Sequence, residues 1–113
     1  MQEFTGPDLC RLEAHEAVAL LRRGEVSTPE LLDAAYARIA AVEPAINATP
    51  TLCRDRAYSA QVTGDAAHPG WLAGLPISIK DLTPVAGVRT TFGTRGLADF
   101  VPAESDPLVE RLE

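Results

Sequence analysis

Between Glu13 and Val42 the apolar residues recur at helical spacing in two successive runs, each with its own start and stop signals. The first, Glu13 to Arg23, sets Ala14, Ala17, Val18 and Leu21 on one stripe. Arg22 and Arg23 suit the negative end of a helix dipole, and Gly24 can adopt the left-handed conformation that closes a helix. The second run opens at Ser27-Thr28-Pro29-Glu30. Here Ser27 and Glu30 have capping-box spacing, and Pro29 falls in the first turn, where a missing N–H costs nothing. Leu31, Leu32, Ala35, Ile39 and Val42 extend the stripe, which the pattern ends before Pro44. Two amphipathic helices joined by so short a connection are expected to pack as a hairpin. A weaker third helix is expected from Arg54 to about Thr63.

After Gly64 the composition changes. Gly, Pro and His punctuate Asp65 to Gly74, which reads as loop. The β-branched run Leu75-Pro76-Ile77-Ser78-Ile79-Lys80 is bounded by turn residues and reads as a strand, with Pro76 tolerable near its start. A turn at Thr83-Pro84, a second strand around Val88 to Phe92 and a loop from Gly93 to Ser105 follow. Asp106 as N-cap and Pro107 at the first position open a last helix, which reaches the final residue after about two turns. So short a helix is unstable alone, and the pattern is that of a chain cut inside a helix. The expected fold class is α/β: a helical N-terminal layer (residues 1–64) followed by the first strands of a mixed sheet (65–113), all part of one domain.

Composition narrows the functional classes. At 113 residues, 46% hydrophobic and 23% charged, the chain has ordinary globular usage, which excludes a disordered, collagenous or coiled-coil protein. A net charge of −6 argues against direct nucleic-acid binding and against attraction to anionic lipid. No apolar run approaches the roughly 20 residues a membrane span needs. Met1-Gln2-Glu3-Phe4 lacks the order of a secretory signal, so the reading is cytoplasmic. Cys10 and Cys53 match no metal or redox spacing and read as free thiols used in packing. His15 and His68 have no partner at metal spacing, and Gly87, Gly93 and Gly96 form no phosphate-cradling loop. Neither metal nor organic cofactor is expected.

Lys80 is the only lysine among ten Lys and Arg residues. On a strand it would lie on the same face as Ser78, at the end that feeds a loop, where α/β folds place their chemistry. A lysine can act as a general base once an apolar setting favours its neutral form, a role arginine cannot take. The competing reading is a surface lysine paired with Asp81, worth about 0–1 kcal/mol. Thr90 and Thr91 read as residues shaping the surroundings, and Trp71 as a loop anchor.

The run Gly74-Leu75-Pro76-Ile77-Ser78-Ile79-Lys80-Asp81 resembles the amidase signature family of Ser–Ser–Lys amide hydrolases. So do Val85-Ala86-Gly87, Thr90-Thr91-Phe92-Gly93, Val101-Pro102-Ala103, Ser105-Asp106-Pro107 and Val109-Glu110-Arg111-Leu112. In the first half Gly24-Glu25-Val26-Ser27, Glu30-Leu31 and Ile46-Asn47-Ala48 are similar as well. The resemblance implies that Lys80 is the catalytic lysine, acting through a bridging serine on a nucleophilic serine that attacks an amide carbonyl. Both serines of the family sit in a Gly/Ser-rich motif. This sequence has neither a Ser-Ser nor a Gly-Gly pair, and neither role passes to Ser27, Ser59, Ser78 or Ser105. The resemblance thus implies an N-terminal portion of a longer amidase domain, with a small-molecule amide as substrate and the rest of that domain as partner. The portion alone is expected to be inactive. The same resemblance fits the A subunit of the tRNA-dependent amidotransferases, which passes ammonia to a second subunit. A non-enzymatic helical interaction module, self-associating as a homo-oligomer through its apolar stripes, is the third reading.

Overall fold

The computed structural model describes residues 3–113; Met1 and Gln2, which begin the N-terminal stretch read above, lie outside the described residues. A 3-10 turn, Asp8–Arg11, precedes α1, Ala14–Arg23. Glu13 and Glu16 form a reciprocal capping box at the start of α1. At its end Gly24, with φ 68°, donates to the Leu21 carbonyl while Glu25 donates to that of Leu20. This double closure satisfies the last carbonyls of the helix and needs a left-handed residue, which glycine supplies without strain. Ala17 and the half-buried Val18 and Leu21 face inward, whereas Ala14 at the first turn is exposed.

The second helix, α2, spans Thr28–Ile46. Ser27 accepts from the Glu30 N–H and Glu30 accepts from the Ser27 N–H, the reciprocal pair that the spacing predicts. The helix does not stop at Pro44. A proline in a helix removes one backbone bond, yet Pro44 sits in the final turn, where only a few more residues depend on the ladder. Asn47, left-handed at φ 47°, then closes the helix by donating to Glu43 at 2.8 Å. Leu31, Leu32, Ala34 and Tyr36 are buried, while Ile39 and Val42 further along are only half-covered.

The two long helices do not form a full-length hairpin. The helical neighbours of α2 are the 3-10 turn and α3, Arg54–Ser59, which ends earlier than Thr63. α1 joins α2 through a cluster at the start of α2, where Ala17, Val26 and Leu31 are buried with Leu9, Leu12, Leu20, Leu21 and Leu75 packed around them. Tyr36 of α2 stacks on Tyr58 of α3 at 6.0 Å, and the Arg54 guanidinium lies 4.2 Å from the Tyr36 ring.

The expected strands are absent among the described residues, and the α/β assignment is corrected to a helical one. A strand exists by virtue of the ladder bonds it exchanges with a neighbour. Residues 75–80 make only turn bonds at either end, Leu75 to the Leu72 carbonyl and Thr83 to that of Lys80. Their side chains do not alternate between inside and outside: Leu75 packs on the core, but Ile77 is 47% exposed. Residues 84–106 fold back on themselves through scattered bonds, Asp106 to Pro84, Gly87 to Pro102 and Thr90 to Phe100. These are too widely spaced to register as a ladder, so residues 88–92 are an irregular segment rather than a second strand. A 3-10 turn at Arg95–Leu97 and helix α4, Pro107–Leu112, complete the chain. Asp106 caps α4 by accepting from Leu108 at 2.8 Å. No described helix is long and apolar enough to cross a membrane.

Candidate functional site

Lys80 ends the extended segment 75–80 and is exposed. Its carbonyl accepts from the Thr83 N–H at 2.8 Å, which closes a tight turn directly after it. Among the described residues its side chain has no ion pair within 4 Å. The surface pair with Asp81 is therefore not formed. Ser78 is likewise exposed, and no hydroxyl partners the lysine amine.

Asp81 turns the other way. One carboxylate oxygen accepts from the Thr91 N–H at 2.8 Å, and the other accepts from the Thr91 hydroxyl. The Thr91 hydroxyl in turn accepts from the Gly93 N–H at 3.2 Å. Thr90 and Thr91, 2% and 8% exposed, are the buried polar residues of the described chain. Thr90 donates its hydroxyl to Val88 at 3.1 Å and its N–H to Phe100 at 2.9 Å. The hydroxyl of Thr91, and next its N–H, hold the Asp81 carboxyl below the usual carboxylate range, with a smaller contribution from the Arg89 cation. Thr91 to Thr94 then make a tight turn closed at 3.0 Å. Phe92 at φ 50° and Gly93 at φ 72° occupy its centre, both left-handed as a type I′ turn requires. For a residue as bulky as phenylalanine that conformation is strained and needs a fixed frame.

The frame extends outward. Arg89 donates to the carbonyls of Ala98 and Pro50 and to the Thr51 hydroxyl. Ser105 accepts from the Ala86 N–H at 2.9 Å. Trp71 is half-buried and donates its indole N–H to Thr63 at 2.7 Å, while Arg22 bonds three carbonyls of the same loop and stacks on the ring. Cys53 is exposed and Cys10 half-buried, so only Cys10 has the surroundings of a packing residue. Two grooves, of about 500 and 430 Å³, flank Arg54 and do not reach Lys80.

Among the described residues the arrangement presents an exposed amine on a held turn with no hydroxyl bonded to it. Of the residues singled out from sequence, the structure brings Asp81 and Thr91 together and leaves Lys80 and Ser78 apart. The Asp81–Thr91 contact spans a loop, and no periodicity or motif spacing announces it.

A family model described as Amidase matches residues 30–113. Among curated proteins, the chain is 38% identical over 111 residues to the A subunit of the glutamyl-tRNA(Gln) amidotransferase of Anaeromyxobacter dehalogenans, covering 94% of this chain and 23% of that protein. It is 42% identical over 99 residues to the corresponding subunit, of the same name, from Synechococcus sp. strain WH7803, covering 81% of this chain and 20% of that one. The Halothermothrix orenii subunit is 38% identical over 106 residues, with 94% and 22% covered. The chain thus spans less than a quarter of the length of the curated relatives it matches. No solved structure gives a significant match. With the match extending from the first turn of α2 through Lys80 to the last residue, the chain belongs to the amidase signature family.

Proposed function

We propose that these residues are the base-bearing N-terminal part of an amidase domain that hydrolyses a carboxamide through a serine acyl-enzyme, with Lys80 as general base. The observation that carries the reading is the family match across Lys80 and the Thr91 turn together. In this scheme the neutral amine draws a proton, through one serine, from a second serine whose oxygen attacks the amide carbonyl. The C–N bond then breaks, ammonia or an amine leaves with the proton, and water hydrolyses the ester. Neither serine is assigned to this chain, which lacks a Ser-Ser pair, so residues 3–113 alone are expected to show no turnover.

The test is Lys80→Ala in the protein that carries these residues, with ammonia release from a simple carboxamide as readout. Loss of a general base removes about 10²- to 10⁴-fold in rate. Turnover near wild type would exclude lysine from the mechanism.

The names of the relatives favour a second reading within the same chemistry, that of the ammonia-releasing component of an amidotransferase. Ammonia released at the site would then pass to a second subunit, which acts on aminoacyl-tRNA, and the cytoplasm is the compartment such a substrate calls for. Co-purification with a second subunit that raises amide turnover supports this reading; robust amidase activity of the isolated protein counts against it.

A further inference from the structure

We infer that the Asp81–Thr91 clasp is a positioning device for Lys80, holding the root of the lysine side chain while leaving its tip free. The inference rests on the reading of Lys80 as base and adds to it two residues that touch neither substrate nor proton.

The backbone is held at the lysine and on its C-terminal side. The Lys80 carbonyl is engaged by Thr83, and the following residue is fixed by two bonds from Thr91. Thr91 is a rigid anchor: it is 8% exposed, its neighbour Thr90 is 2% exposed, and its hydroxyl both donates to Asp81 and accepts from Gly93. It also begins the strained turn at Phe92, a conformation that survives only where surrounding bonds over-determine it. The side chain of Lys80, by contrast, is exposed and free of ion pairs among the described residues. A side chain with a fixed root and an unengaged amine is what a positioned base requires, because small misplacements of a reacting group are costly.

The geometry also separates positioning from charge. Both Asp81 oxygens point to Thr91, and Asp81 makes no ion pair with Lys80. An amide in place of the carboxylate can still accept from the Thr91 N–H and meet its hydroxyl. If the role is positional, Asp81→Asn preserves it; if the negative charge matters, Asn fails as Ala does.

The experiment measures kcat, KM and the thermal midpoint for Lys80→Ala, Asp81→Ala, Asp81→Asn, Thr91→Val and Thr91→Ser in the protein carrying these residues. Asp81→Ala and Thr91→Val are expected to lower kcat about 10²-fold with KM little changed. Asp81→Asn and Thr91→Ser are expected to recover to within about tenfold of wild type. Full activity in Asp81→Ala, with Lys80→Ala dead, overturns the inference and spares the proposed function. Activity in Lys80→Ala overturns both. Loss in Asp81→Asn equal to that in Asp81→Ala also overturns it. Should Asp81→Ala fail to fold, the split between kcat and KM in Thr91→Val and Thr91→Ser decides.

Discussion

Asp81 and Thr91 illustrate how much a single pair can organise. The carboxylate accepts two bonds from one threonine, and those bonds stabilise its charged form. Because the folded-state pKa is depressed, the stabilisation is fully present above the unfolded value of about 3.9 and is lost as pH falls through the folded one. Thermal unfolding of the chain followed by circular dichroism should therefore show no contribution from Asp81 to pH dependence between neutrality and about pH 5. Below that range wild type should lose stability more steeply than Asp81→Asn, whose side chain does not titrate. Parallel curves for the two would mean that the carboxylate is not held by Thr91. Glu43, held low by the hydroxyl and then the N–H of Thr49, titrates in both proteins and cancels from the comparison.

At the scale of elements, the helix starts were legible because capping is local. Ser27 and Glu30 lie three positions apart and form their reciprocal bonds without help from the rest of the chain. Ser27→Ala is expected to cost about 1 kcal/mol, read as a lower urea midpoint at unchanged slope; no shift would mean the cap bonds are replaced by water. Gly24 and Asp106 were readable for the same reason. The end of α2 was not, because Pro44 marks a penalty rather than a stop. Whether a helix continues through its last turn depends on the closing bond beyond the proline, here from Asn47 to Glu43. The strands failed for a related reason: β-branched alternation over 75–80 states a preference, but a strand needs a partner backbone.

Over the whole molecule the chain is open. Its radius of gyration is 15.3 Å, against about 13 Å for a compact chain of this length. The helical half and the loop half are joined at a few points. Arg56 bonds the Ala86 carbonyl and pairs with Glu113, and Val109 of α4 is 1% exposed. Another joint is at Gly74, whose carbonyl accepts from the Thr28 hydroxyl at 2.8 Å. A Cβ there would lie 2.4 Å from that hydroxyl and 2.7 Å from Val62, at a φ of +85°. Gly74→Ala is expected to destabilise by more than about 1 kcal/mol, measured by urea unfolding. An unchanged midpoint would show that the two halves do not bear on each other there.

By itself the sequence determined where α1, α2 and α4 begin, the Ser27 and Asp106 caps, the Gly24 stop, the family and the one lysine, because each is written in residues close together along the chain. Only the tertiary structure decided that the second half has no ladder among the described residues, and that Asp81 meets Thr91 instead of Lys80. Those outcomes depend on which backbones come to lie side by side, a matter of long-range packing that no local spacing encodes.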